Sequence, residues 1–369
     1  MQESASTASG PTDAVHGDLL LAGLRLRVVA PARRDLAAVS EVLTPACGFD
    51  EAAAGQPDWA LVVDTAQPDV HEDVFREGRL TLALPYGGRR LAVLGMEGGV
   101  LRLAACYRPG AAPVLLEVDT AAGRTRLVVT PGDGVGLRWA DWLARVFFAS
   151  RLLASGWRVL HASAVELDGR ALVFLAGRRG GKSTLAHRAA RERGALFMAD
   201  DLVLVGPDGL VVGWPTRVAV PREVLGGPVA VGREESSVVG GVPRQRVLFT
   251  PPEHRAALGV AYSAPVPLGA AVLVDGAGRG PVRAVRPSVR RVREALEEAA
   301  RVPQQVLYVS DALGLMGGPR LAEQAAGAGS VAGLLDGVPV AQLVTPVGEL
   351  AVAGVWPALE ELLPLVGGR

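Results

Sequence analysis

The stretch HASAVELDGRALVFLAGRRGGKSTLAHRAARERGALFMADD, residues 161–201, decides the fold of the C-terminal half. Asp168 and Gly169 form a two-residue turn signal between two apolar runs, which predicts a β-hairpin. The second strand, ALVFLA, runs into a glycine-rich turn, and the helix KSTLAHRAARER follows and ends at Gly194. A third strand, ALFMA, comes next. This order of elements predicts an α/β domain with a mixed sheet.

The glycine-rich turn between the second strand and the helix predicts a phosphate-binding loop. Backbone N–H groups converge on phosphate oxygens at such a junction, and the positive end of the helix dipole adds to the attraction. Lys182 then supplies a mobile cation, and Ser183 supplies a hydroxyl for Mg²⁺. The predicted ATP-binding residues are Ala176, Gly177, Arg178, Arg179, Gly180, Gly181, Lys182, Ser183 and Thr184.

The loop departs from the strict pattern G-x-x-x-x-G-K-[ST] at its first position, where Ala176 replaces glycine. Because a Cβ penalises positive φ, the loop either keeps an allowed φ at 176 or moves its turn onto Gly177. An ordinary glycine-rich turn before a helix is the alternative to a phosphate site. Arg178 and Arg179 either stabilise charge on a transferring phosphoryl group or are solvated.

Acidic and imidazole side chains flank the predicted loop. Asp200 and Asp201 follow the strand ALFMA, which puts them at its carboxyl end, on the loop side of an α/β sheet. One of them can bind Mg²⁺ while the other accepts the proton of an attacking hydroxyl, and the sequence leaves open which does which. A solvated acidic turn is the alternative. His161 precedes the hairpin and is a candidate to approach the γ-phosphate, although a lone histidine is more often structural.

Composition excludes several classes of partner. Lys plus Arg (38) balance Asp plus Glu (38), so no overall charge attracts nucleic acid or an anionic membrane. The two cysteines, Cys47 and Cys106, have no metal or redox spacing, which is typical of a reducing compartment. The N-terminus lacks a secretory pattern, and the apolar helical stretch 142–157 is shorter than the about 20 residues a membrane span needs. A soluble, cytoplasmic protein is expected.

The chain divides into three predicted parts. Residues 1–15 are a polar tail expected to be disordered. Residues 16–140 alternate short apolar runs with turn signals, which predicts a strand-rich N-terminal α+β domain with one helix near 34–42. Residues 141–369 are the predicted domain with the phosphate loop.

Three features are expected in the rest of the C-terminal domain. The Gly- and Pro-rich stretch 226–243 is predicted to be mobile. The segment SVRRVREALEEAARV predicts a basic amphipathic helix. The default is a solvated face for Arg283, Arg286, Arg290, Arg291 and Arg293, and the alternative is a contact of Arg286 with a phosphate or an acidic peptide. An Ala- and Gly-rich helical end closes the chain.

The whole 161–201 stretch resembles the core of the HPr kinase/phosphorylase family, and phosphoenolpyruvate carboxykinases have the same order of parts. The resemblance implies a P-loop kinase domain in which Lys182 and the loop amides bind nucleotide phosphates and Ser183 helps to hold Mg²⁺. It gives Asp200, Asp201 and His161 roles in metal binding and proton transfer. Members of this family form hexamers, so a homo-oligomer is one expectation.

Two departures separate this chain from HPr kinases. Ala176 and Arg179 stand where the family has glycines, and the acidic signature after the Asp pair is absent. In its place is GWPTRVAVPREV, where Arg217, Arg222 and Glu223 are the candidates for a substrate or metal contact. HPr is therefore a weak expectation as the acceptor. The chain looks closer to the HPr-kinase-like proteins of peptide-tailoring systems such as lasso-peptide biosynthesis.

The sequence thus predicts an ATP- and Mg²⁺-dependent kinase that phosphorylates a hydroxyl, with a serine of a peptide or small protein as the acceptor. Two alternatives remain at this point. One is a small-molecule kinase on the same fold. The other is a nucleotide-binding regulator or assembly partner that transfers nothing, which the alanine at the loop's first position favours.

Overall fold

The structure of the chain, a computed structural model, describes residues 14–44, 46–52, 54–75, 81–83, 90–108, 110–177, 180–214, 216–225, 227, 229–239, 242–276, 280–310, 331–345 and 354–367. The predicted tail lies almost wholly outside them. The described residues form two compact units. One takes in the residues up to Ser40 and Gly48–Phe148, and the other takes in Glu41–Cys47 and the residues from Ala149 onward.

The first unit is rich in strands, as predicted. Its strands are β1 Val15–Leu21, β2 Leu24–Ala30, β3 Gly48–Asp50, β4 Trp59–Thr65, β5 Thr81–Ala83, β6 Arg90–Glu97, β7 Val100–Cys106, β8 Val114–Asp119 and β9 Arg124–Val129. They form a sheet in the order β3-β1-β2-β4-β9-β8-β7-β6-β5. Its helical elements are α1 Arg33–Leu43, a 3₁₀ turn Glu72–Phe75 and α2 Arg138–Ala154. The last residues of both α1 and α2 belong to the second unit.

Strand β2 shows why this part of the chain forms a sheet. Its sequence LRLRVVA alternates, so Leu26, Val28 and Ala30 are buried while Arg25 and Arg27 lie on the more exposed face. Successive side chains of a strand point to opposite faces, so one apolar face packs against the core. In the same unit, the side chains of Trp59, Trp139, Phe147 and Phe148 are almost completely buried.

The second unit contains the strands around the predicted loop. They are β10 Arg158–Leu160, β11 Ala162–Leu167, β12 Arg170–Leu175, β13 Leu196–Ala199, β14 Val203–Val205, β15 Leu210–Gly213, β16 Val218–Pro221, β17 Arg233–Val239, β18 Val242–Phe249, β19 Val266–Asp275, β20 Arg283–Val285 and β21 Val340–Val344. The main sheet has the order β10-β14-β15-β19-β12-β11-β13, with β21 paired to β19 and β20 to β21. It is mixed, because β12 is antiparallel to β11 and parallel to β19.

The helical elements of this unit are α3 Lys182–Glu192, α4 Arg222–Leu225, α5 Pro251–Leu258, α6 Val289–Ser310, a 3₁₀ turn Val331–Leu335, α7 Val355–Glu360 and α8 Pro364–Gly367. The fold is therefore mixed α/β. Among the described residues, no helix is both long and apolar enough to cross a membrane.

A small second sheet, in the order β16-β18-β17, includes part of the stretch 226–243. The glycines and prolines of this stretch predict mobility, and that expectation stays a prediction. Its described part includes β17, which pairs antiparallel with β18 over the whole of Arg233–Val239.

The hairpin before the loop is confirmed. Asp168 and Gly169 have φ values of 47° and 74°, and β11 pairs with β12 from Leu167↔Arg170 onward. Positive φ at both central residues is the geometry of a type I′ turn, whose twist matches that of the strands it joins.

Strand β12 is buried on both faces. Leu172 and Phe174 pack in the cluster that includes Leu185 of α3, whereas Val173 packs in the cluster that includes Leu296 of α6. Burial on both sides explains the unbroken apolar run of this strand. The carboxyl end of β12, where the predicted loop begins, consequently lies between α3 and α6.

Two buried histidines lie close together in the core, His187 on α3 and His254 on α5. His187 stacks on Phe197 with ring centroids 5.0 Å apart, and neither of its ring nitrogens has a hydrogen-bond partner among the described residues. The Nδ1 of His254 lies 2.9 Å from the hydroxyl of Tyr262. Burial lowers the pKa of His187 well below its usual value and lowers the pKa of His254 to about 4. Both imidazoles are thus neutral in the folded protein at pH 7.

We expect His187→Phe to reduce the acid sensitivity of the fold. The folded-state pKa is below the unfolded value of 6.5, so the unfolded state binds more protons below pH 6.5 and stability falls as the pH falls. Each such group costs up to about 1.4 kcal/mol per pH unit. A phenyl ring preserves the stacking on Phe197 and takes up no proton. Urea unfolding at pH 7.5 and 5.0 should show a smaller loss for the variant than for the wild type.

The matched control is His71→Phe, because this histidine is exposed. The control should lose as much stability between pH 7.5 and 5.0 as the wild type. Equal losses for His187→Phe and the wild type would contradict the assignment of a neutral buried imidazole.

Candidate functional site

The predicted phosphate loop lies between β12 and α3, and the structure describes it at residues 176–177 and 180–181. Among its described residues the positive φ falls on Gly181, at 89°, directly before α3. Ala176 keeps an ordinary φ, so the first of the two alternatives for the alanine holds. A Cβ on Gly180 would lie 2.5 Å from the Cβ of Ala176. Gly180 therefore makes room for the alanine that replaces the pattern's first glycine.

Lys182 is the only lysine in the chain, and the other basic residues among the 38 are arginines. It is 5% exposed, and its Nζ donates to the backbone carbonyls of Ala176 (3.1 Å) and Gly177 (3.3 Å). An ammonium has three donors, so one remains for a ligand. Burial lowers the pKa of Lys182 to about 8, and the charges of Asp201, Glu298 and Asp200 oppose this shift. The lysine is held at the loop before any ligand arrives.

A β-bulge brings the two aspartates to the loop. The register of β11 against β13 shifts between Ala164↔Ala199 and Val165↔Phe197, so Met198 is an extra residue in β13. A bulge bends its strand and redirects the residues that follow. The Met198 carbonyl oxygen would be 2.1 Å from a Cβ on Gly213, so only glycine fits beside the bulge.

The backbone carbonyl of Asp200 accepts hydrogen bonds from two serines, one on α3 and one on β11. It accepts the hydroxyl of Ser183 at 2.9 Å and the hydroxyl of the fully buried Ser163 at 2.6 Å. Its carboxylate Oδ2 accepts the backbone N–H of Ala219 on β16 at 3.0 Å. Burial raises the pKa of Asp200 to about 7, the neighbouring Asp201 adds to the rise, and the Ala219 hydrogen bond opposes it.

Asp201 is placed differently from Asp200. Its side chain is 65% exposed, and its Oδ1 lies 3.3 Å from the Nε2 of His161. Partial desolvation by the surrounding protein favours a higher pKa, but the hydrogen bond and charge of His161 and the charges of Lys182 and Arg246 lower the pKa of Asp201 overall. The ladder of β10 with β14 brings this region together, because it ends at Leu160↔Val203, one residue before His161 and two residues after Asp201. The structure thus separates a buried and an exposed carboxylate.

Three further residues lie at this candidate site and were not predicted from the sequence: Ser163, Glu298 and Arg246. A Cβ on Gly177 would lie 3.2 Å from Oε1 of Glu298, so this carboxylate from α6 lies against the loop. Arg246 on β18 lowers the pKa of both aspartates. No local pattern marks these three residues, because each reaches the site from a distant element.

The other predicted residues are distributed as follows. Arg178 and Arg179 lie outside the described residues. Thr184 is half-buried in the first turn of α3. Arg222 forms an ion pair with Glu234 at 3.2 Å. The side chain of Glu223 also lies outside the described part of the chain.

The oxygen donors at the loop fit a magnesium ion better than a transition metal. Within the described residues, no group of three or more His, Cys, Asp or Glu side chains could hold a metal by itself. The Ser183 hydroxyl donates to the backbone carbonyl of Asp200, the residue directly before Asp201. Mg²⁺ is usually held by one or two protein oxygens together with substrate phosphates. Ser183, Asp200 and Asp201 are the residues that could hold it.

The arrangement combines a preorganised cation, a helix N-terminus and two unlike carboxylates at one edge of a sheet. Such a set can bind polyphosphate and handle one proton. Comparison with known proteins does not extend this description, because no family model matches the chain and no curated protein matches it.

Proposed function

We propose that this protein is an ATP- and Mg²⁺-dependent phosphotransferase of the HPr-kinase-like type, which moves a γ-phosphoryl group to a hydroxyl. The observation that carries the proposal is the position of Lys182, fixed by two loop carbonyls beside the carboxylates of Asp200 and Asp201. The acceptor that we propose is a serine of a peptide or small protein in the cytoplasm. A homo-oligomer is part of the same proposal.

Each residue has a role in this proposal. Lys182 and the amides at the start of α3 bind the β- and γ-phosphates and stabilise the charge that develops in transfer. Mg²⁺, when bound, neutralises phosphate charge and orients the phosphates for in-line transfer. The proposed metal ligands are Ser183 and Asp201, whose carboxylate is exposed and ionised. Asp200 is the proposed acceptor of the proton from the attacking hydroxyl, and His161 orients Asp201.

The sole lysine gives a direct test of nucleotide binding. An acyl phosphate of ATP transfers its acyl group to an amine that lies at the phosphates, and Lys182 is the only side-chain amine in the chain. We expect the reagent to acylate Lys182, with peptide mapping by mass spectrometry as the readout. Excess ATP should reduce labelling by about tenfold or more, because it occupies the same phosphate site.

Two controls make the result specific. AMP lacks the phosphates that the loop binds, so it should protect Lys182 far less than ATP does. An acyl phosphate without the nucleoside should label poorly, because the lysine is only 5% exposed. Labelling that ATP does not reduce would contradict the proposed site.

A further inference from the structure

Helix α6 contacts the proposed site at two adjacent residues. Glu298 lies against the loop at Gly177, as described above. The carbonyl oxygen of the next residue, Ala299, accepts the backbone N–H of His161 at 2.8 Å. His161 in turn is the partner of Asp201. One helix therefore touches both the phosphate loop and the histidine beside the carboxylates.

The sequence of α6 explains how a carbonyl in the middle of a helix is available to His161. In an α-helix the carbonyl of residue 299 would accept the N–H of residue 303. Residue 303 is proline, which has no N–H, although it lies inside the 22 residues of α6. The missing donor frees the Ala299 oxygen, and the N–H of His161 takes its place.

The helix is a firm support for this contact. Leu296, Ala299 and Ala300 are buried in the cluster that also holds Val173 of β12. The freed carbonyl is therefore fixed relative to the strand that leads into the loop. A proline inside a helix destabilises it, so its presence at the one position that frees the contacted carbonyl calls for a functional explanation.

We infer that Pro303 is a positioning residue: it frees the Ala299 carbonyl to hold the His161 backbone, and so sets the His161 imidazole against Asp201 for phosphoryl transfer. The catalytic part of this inference rests on the proposed function. The contact itself is independent of any activity, so the two parts can be tested separately.

The test is Pro303→Ala, which restores an N–H that competes for the Ala299 oxygen. We expect the amide of His161 to exchange with deuterium about tenfold faster, and phosphoryl transfer to fall about tenfold, since small misplacements of catalytic groups have such effects. ATP binding should change less than about twofold, because the loop is untouched. The thermal midpoint should stay the same or rise, because alanine is the better helix former. If Pro303 had only a structural role, its replacement would not lower activity while leaving stability unchanged.

Exchange can be followed by NMR after [¹⁵N]histidine labelling, since the chain has only five histidines. The matched control is Pro357→Ala in the first turn of α7, where the N–H lacks an intrahelical acceptor in any case. This control should leave exchange and transfer unchanged. In a His161→Ala background, Pro303→Ala should have no further effect on transfer, because both changes act through one contact.

Each outcome is decisive. Wild-type exchange or wild-type transfer in Pro303→Ala would overturn the inference, as would an equal loss in Pro357→Ala. A wild-type protein that transfers no phosphoryl group would contradict the proposed function instead. In that case the exchange rate of the His161 amide alone still decides whether Pro303 governs the contact.

Discussion

Lys182→Ala should remove nearly all phosphoryl transfer, with a fall of about 10³-fold in turnover. In the proposed mechanism, the positive charge of this lysine stabilises the negative charge that develops on the phosphoryl group in the transition state. ATP binding should weaken as well, since in the proposed complex the same ammonium contacts the phosphates of the bound ATP before transfer. The measurement is transfer from [γ-³²P]ATP to serine-containing peptides, with ATP hydrolysis as a second readout. The sole lysine has no neighbouring lysine to replace it.

The fold should survive this change. Lys182 is a buried cation whose pKa is lowered by burial, so the folded chain gains little stability from its charge. The matched control is Arg191→Ala, which removes an exposed positive charge from the same helix and should leave transfer within about twofold of the wild type, since it lies away from the loop. Substantial transfer by Lys182→Ala would eliminate the proposed phosphate site.

The elements around the loop could be predicted because their signals are local. The Asp168-Gly169 turn specifies its own hairpin, and the apolar run of β12 between turn residues identifies a strand buried on both faces. The start of α3 follows from the glycines before Lys182. None of these predictions needs information from a distant part of the chain.

The site residues that the sequence did not predict are brought there by packing between distant parts of the chain. Glu298 reaches the loop only because α6 packs on the opposite face of the sheet from α3, and Ser163 meets Asp200 only through the pairing of β11 with β13. Sequence periodicity identifies the buried face of a helix but not the partner on which it packs. One signal was nevertheless available, because a single lysine in a chain that otherwise uses arginine marks position 182.

The sequence could not decide which of the two adjacent aspartates has which role. Side by side in the chain, Asp200 and Asp201 are equivalent candidates for the metal ligand and the proton acceptor. The bulge at Met198 and the backbone N–H of Ala219 separate them, by turning one carboxylate inward and leaving the other exposed. Pairs of acids in unlike environments commonly divide the roles of acid and base.

Asp200→Asn should lower phosphoryl transfer by about 10²–10⁴-fold, the usual contribution of a positioned proton acceptor, and yet make the protein more stable above neutral pH. The asparagine Oδ1 can still accept the Ala219 N–H, so the local structure is kept. The matched change Asp201→Asn should also impair transfer, but it should raise the Mg²⁺ concentration required and leave stability nearly unchanged, because that carboxylate is exposed.

The stability gain follows from the sign of the pKa shift. The folded pKa of Asp200, about 7, lies above the unfolded value of 3.8, so between these pH values the folded state keeps a proton that the unfolded state has released. The free energy of unfolding of the wild type therefore falls as the pH rises through this window. Asparagine has no charge to bury, so urea unfolding should find the variant about 2 kcal/mol more stable than the wild type at pH 8, with a smaller difference at pH 5. If the loop binds phosphate as proposed, the destabilising buried acid beside it is kept for its chemistry. An Asp200→Asn variant that is both more stable and fully active would refute that proposal.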